Sequence, residues 1–149
     1  MGETGNIMFA THILPTERYR LVDVATSVSQ ADPHQLIQLL YDGAIAALFQ
    51  ARHAIATQDI EGKTTTISKA MRIIDEGLKA AIEPGDNPEL SENLRGLYDY
   101  MINLLLRGNL NNDEAPLAEV LKLLGDLRSA WAEISPANRV AARPVEFQA

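Results

Sequence analysis

Three histidines, His12, His34 and His53, are the side chains of this 149-residue sequence best suited to moving a proton or ligating a metal near neutral pH. A di-metal centre in a helical scaffold needs a Glu three residues ahead of an inward-facing His on each of two helices. None of the three has one, and Gln50 stands in that place for His53. Cysteine is absent, which excludes thiolate nucleophiles, disulfides and cysteine-ligated zinc. Gly43, Gly62, Gly77, Gly96 and Gly108 stand singly inside helical patterns, so no glycine-rich loop cradles a phosphate. These glycines read either as places of close approach between helices or, at Gly43 and Gly96, as room for a bound peptide. No catalytic residue, metal site or cofactor is expected, and the chain does not read as an enzyme.

What remains is a pairing of aromatic rings with carboxylates: Tyr41-Asp42, and Tyr98-Asp99-Tyr100. One reading puts the tyrosines at the rim of a core with their hydroxyls in water. The other makes them polar anchors in a peptide groove. Apolar surplus favours the second, because Ile37, Leu48, Ile102 and Leu106 exceed what one helical seam accommodates, and a large exposed apolar patch marks an interaction site.

The elements that must carry these residues follow from caps and periodicity. Asp32 is placed to cap a helix, Pro33 suits its first position, and Gln35 falls where a capping box needs it. The first helix is expected from Pro33 to Thr57, with Leu36, Leu40, Ala47 and Ala51 in one apolar stripe and Ile37, Tyr41, Ala44, Leu48 and Ile55 in a second. Gln58 and Asp59 make a tight turn into a second helix, Ile60 to Ile82, with Ile67, Met71, Ile74, Leu78 and Ala81 on one face and Lys63, Arg72, Glu76 and Lys79 on the other. The breaker from Glu83 to Pro88 precedes a third helix, capped by Asn87 and running to Asn109, with Leu90, Leu94, Leu97, Met101, Leu104 and Leu105 on a broad face. Asp113 caps a fourth, bearing Leu117, Val120, Leu121, Leu124, Leu127, Trp131 and Ile134 and ended by Ser135-Pro136. Four such segments with short loops predict an all-α fold, an antiparallel up-down four-helix bundle.

Residues 1–17 and 136–149 read as mobile tails around a bundle domain at 18–135. Arg18 to Gln30 is apolar but irregular, so a short helical or extended segment is expected to pack across the bundle. The formal charge of −7, from 13 basic and 20 acidic residues, disfavours nucleic acid and anionic membrane as partners. No apolar stretch approaches the ~20 residues of a membrane span, and no signal peptide is evident. The expectation is a cytoplasmic protein, free as a monomer or weak dimer.

Val24, Ala31-Asp32-Pro33-His34-Gln35-Leu36-Ile37, Leu40-Tyr41-Asp42-Gly43-Ala44, Ile73-Ile74-Asp75-Glu76-Gly77-Leu78-Lys79, Leu97-Tyr98-Asp99-Tyr100-Met101, Asn109-Leu110, Asn112-Asp113 and Trp131 together resemble the flagellar export chaperone FliS family, in unbroken order from Tyr19 to Pro136. The resemblance implies a cytosolic chaperone that binds the disordered C-terminal segment of flagellin, prevents premature polymerisation and presents it to a component of the flagellar type III export gate, without ATP or cofactor. It implies client-binding roles for Tyr19, for Leu36, Ile37, Leu40, Tyr41 and Asp42 on the first helix, and for Leu97, Tyr98, Tyr100 and Met101 on the third. Asp32 stands where the family more usually has Ser, and both residues cap. The alternative is a histidine phosphotransfer bundle, but His53 is followed by Ala54-Ile55-Ala56 rather than by the lysine and glycine such domains carry.

Overall fold

The computed structural model describes residues 32–83, 85 and 87–134. By its internal contacts the chain divides after Leu36. In the first unit the described residues are 32–36, the opening turn of a helix: the Asp32 carboxylate accepts the Gln35 N–H at 2.8 Å and its carbonyl accepts the Leu36 N–H at 3.2 Å. The helix is α1, Pro33–Ala56. The second unit holds α2, Ile60–Arg72, which continues as π-helical turns Ile73–Lys79, then α3, Pro88–Asn111, and α4, Glu114–Glu133. No strand occurs among the described residues.

Two of the turns use one device. At the end of α1, Gln58 takes a left-handed φ of 58°, and the N–H groups of Gln58 and Asp59 reach back to the carbonyls of Ile55 and Ala54. At the end of α3, Asn112 has φ 51°, and the Asp113 N–H reaches the Gly108 carbonyl. Both patterns satisfy carbonyls that a helix end leaves without partners. In each case the next residue is an Asp that caps the following helix, Asp59 accepting from Gly62 and Asp113 from Ala115, both at 3.0 Å. Asn87 does the same for α3 through the Leu90 N–H at 3.1 Å.

Contacts between neighbouring helices close a ring. Leu40 lies against Gly77 and Ile73 against Gly43, joining α1 to α2 and its π turns. Lys63 reaches the Asn109 carbonyl and Lys79 the Asp99 carboxylate, joining α2 to α3. Tyr100 donates to Glu119, and Arg52–Glu114 with Arg128–Asp42 join α4 back to α1. With Gly108 against Leu117 as the second contact between α3 and α4, the numbers rise on one helix as they fall on the other in every pair, so neighbours are antiparallel. A further contact, between Tyr41 and Tyr98, crosses the middle, which makes α1 and α3 the diagonal pair. Tyr41, Ala44, Ala47, Leu48 and Ala51 of α1, Ile67, Ala70, Ile74 and Leu78 of the second helix, Tyr98, Met101, Leu104 and Leu105 of α3, and Leu117, Val120 and Leu124 of α4 form one core.

Several expectations are corrected. The second helix is not regular throughout: seven residues, Ile73–Lys79, are π-helical. Its buried face runs through Ala70 rather than Met71, Ala81 is exposed, and Lys63, expected in solvent, is 5% exposed. Leu48 is fully buried and is not surplus, because α1 lies across the bundle from α3 and needs both its stripes for one core. Gly43 has Ile73 Cδ1 3.4 Å from where a Cβ would stand, so it is a packing position and not room for a peptide. Residues 1–17, the 18–30 segment and residues 136–149 lie outside the described residues.

Candidate functional site

Among the described residues no group of His, Asp and Glu is placed to hold a metal, and no helix is long and apolar enough to cross a membrane.

Tyr41 and Tyr98, expected either at a core rim with wet hydroxyls or, as the favoured reading, as polar anchors of a peptide groove, are 3% and 2% exposed, and their hydroxyls meet at 2.8 Å in the core. A phenol there must leave water, so its oxygen needs a partner inside, and each tyrosine supplies the other's. Burial pushes both hydroxyls above the usual tyrosine range. Met101 is also fully buried. Ile37, Leu40 and Leu97 are half-buried against the core, and Leu36 is half-buried in the first turn of α1. The structure thus shows deeper burial of Tyr41 and Tyr98 than of Leu40 and Leu97. Its cause is the diagonal placement of α1 and α3, which turns one face of each helix onto the bundle axis. Asp42 is exposed and paired with Arg128, and Tyr100 is exposed with its hydroxyl donating to Glu119. That carboxylate raises the Tyr100 hydroxyl above its ordinary range. Tyr19 lies outside the described residues.

What the structure leaves outside is a different set. Leu39, Phe49, Leu106 and Leu110 are exposed, Leu110 to 81%. On α3, Ile102, Leu106 and Leu110 repeat every four residues and so line one edge of the helix. Ile102 is half-buried at the core margin and the other two stand in solvent. It is the edge on which Asp99 and Asn109 are bonded to Lys79 and Lys63 of the neighbouring helix. The ladder therefore flanks the groove between α2 and α3. Its ends are about 12 Å apart at 1.5 Å per residue, the length of two helical turns. Gly96 has no atom within 4 Å of where a Cβ would stand, so its surface is open. In the sequence Ile102 and Leu106 signal this edge by falling off the broad apolar face. Leu39 and Phe49 carried the same signal, since neither belongs to either stripe of α1.

The profile of the flagellar protein FliS family matches residues 15–138. The flagellar secretion chaperone FliS of Salmonella typhimurium is 46% identical over 118 residues, 79% of this chain and 87% of that protein. The flagellar secretion chaperone FliSB of Pseudomonas aeruginosa is 42% identical over 119 residues, 80% of this chain and 94% of that protein. The Bacillus subtilis flagellar secretion chaperone FliS is 36% identical over 113 residues, 76% and 83% of the two chains. Similarity of this extent covers every helix above and the turns between them, and the chain belongs to the FliS family, a family of chaperones and not of enzymes.

Proposed function

We propose that this protein is a cytoplasmic export chaperone that binds the disordered C-terminal segment of flagellin, keeps it from polymerising early and delivers it to a component of the flagellar export gate. The observation that carries the proposal is the apolar ladder beside the α2–α3 groove, half-buried Ile102 followed by exposed Leu106 and Leu110, on a member of a family whose relatives are named flagellar secretion chaperones. An amphipathic helix lays its apolar face into such a groove with anchors at the same spacing. Leu36, Ile37, Leu40, Asp42, Leu97 and Tyr100 are proposed as further client contacts, and Tyr19 by the resemblance alone. Tyr41, Tyr98 and Met101 act from beneath, fixing the helices whose outer faces the client meets. The domain is proposed to span 18–135, and the free protein to be a monomer or weak dimer. The phosphotransfer reading is set aside by the family match.

Calorimetry of the full chain with the organism's own flagellin tests the proposal. A 1:1 complex with a large negative heat-capacity change is expected, since the client segment buries apolar surface as it folds. Equal binding to flagellin that lacks its C-terminal segment would overturn it.

A further inference from the structure

The turns that end α1 and α3 lie at the same end of the bundle, and a pocket of about 460 Å³ opens between them. Ala54, Ile55 and Ile60 give it an apolar flank, and Lys63 and Asn112 line it as well. Lys63 is the one charged residue buried among the described residues, at 5% exposure. Its ammonium group donates to the Asn109 carbonyl at 2.9 Å and to the Asn112 side-chain oxygen. Both acceptors are neutral. An ammonium group carries three N–H donors, and these two bonds use two of them. Asp59 lines the same pocket, yet its carboxylate is turned onto the Gly62 N–H, and no carboxylate among the described residues forms an ion pair with Lys63. A buried charge held only by neutral dipoles gains most from an opposite charge brought to it.

We propose that this pocket receives a carboxylate of the bound client segment, which pairs with Lys63 while the adjoining apolar atoms rest on Ile55 and Ile60. The inference depends on the chaperone function proposed above and adds a second anchoring point at the end of the bundle. The apolar flank is part of the site, because a protein of net charge −7 repels free anions and takes up a carboxylate only when other contacts bring it in. Two carboxylates have this chemistry, the chain terminus of the client and an Asp or Glu side chain within its segment.

Calorimetry with the full chain separates them. The flagellin C-terminal segment is titrated as the free acid, with an amidated terminus, and with its Asp and Glu changed to Asn and Gln. Each form is run against the wild type and against Asn112→Asp. That substitution keeps the acceptor in place, suits a left-handed φ and gives Lys63 an internal counter-charge, so the variant folds. For the wild type, amidation or the side-chain exchange is expected to weaken binding about tenfold, the scale of one charge-assisted hydrogen bond. In Asn112→Asp the same change has little effect. Equal losses in both proteins, or none in either, would overturn the pocket assignment while leaving the chaperone function standing. Failure of the unmodified segment to bind at all would overturn that function.

Discussion

Tyr41 and Tyr98 place two phenols in contact at the centre of the bundle, and their single shared hydrogen bond makes each side chain's cost depend on the other. Changing either one to Phe strands the remaining hydroxyl in the core, an expected loss of about 1–3 kcal/mol. Changing both removes the need along with the bond, and Tyr41→Phe/Tyr98→Phe is expected to lie close to the wild type. Urea melts of the three variants give the coupling directly, and additive losses would show that the bond contributes nothing. The same pair sets an alkaline limit. Burial raises both hydroxyls above the ordinary value of 10.0, so the unfolded chain releases these protons first as pH rises. Their contribution is fully present below about pH 10 and declines above it, as ionisation stabilises the unfolded chain. Melts on either side of that pH should show the wild type losing stability that the double Phe variant keeps.

At the scale of the elements, glycines that look alike in the sequence separate by what stands over them. At Gly108 a Cβ would lie 2.5 Å from Leu117 Cδ1 and 3.0 Å from the Asp113 carbonyl oxygen, and the backbone of the α3–α4 turn cannot retreat. Gly108→Ala is therefore expected to cost about 1–3 kcal/mol by overpacking. Gly96 faces open space, and Gly96→Ala should gain about 0.5–1 kcal/mol from helix propensity alone. If the client backbone crosses α3 there, the more stable variant should also bind flagellin more weakly; melts and titrations of the pair read both effects. The caps at Asp32, Asn87 and Asp113 were legible in the sequence, because a cap is a matter of one residue and its next three neighbours, whereas Asp59 read only as part of a turn and its cap on Gly62 came from the structure. The π turns at Ile73–Lys79 were not, since the apolar spacing there still fits a 3.6-residue period. Nor was the fate of α1 and α3. Two apolar stripes per helix fit a diagonal pair as well as a helix reserving a face, and the Tyr41–Tyr98 contact that decides between them joins residues 57 positions apart.

For the molecule as a whole, the core and the proposed client surface make different demands on chemically similar side chains. Leu105 and Leu106 are neighbours in sequence, yet the first is wholly buried and the second is 49% exposed. Truncating Leu105 to Ala should cost about 2–5 kcal/mol of stability through lost burial and the cavity left behind. Leu106→Ser and Leu110→Ser remove no core contact and should change stability by no more than about 0.5 kcal/mol. Their effect belongs to binding. If the client's apolar anchors rest on the ladder, each substitution should weaken flagellin binding by on the order of 1–2 kcal/mol and make the heat-capacity change less negative. If the free protein forms the weak dimer proposed above through the same exposed leucines, the double Ser variant should be more fully monomeric by sedimentation at high concentration. Ion pairs such as Arg52–Glu114 and Arg128–Asp42 on the α1–α4 side are half-exposed and contribute little to folding, so added salt should leave the melts nearly unchanged. Leucine variants that bind flagellin as tightly as the wild type while staying folded would move the client off the α2–α3 edge and onto the surface around Leu39 and Phe49, the exposed apolar side chains of α1.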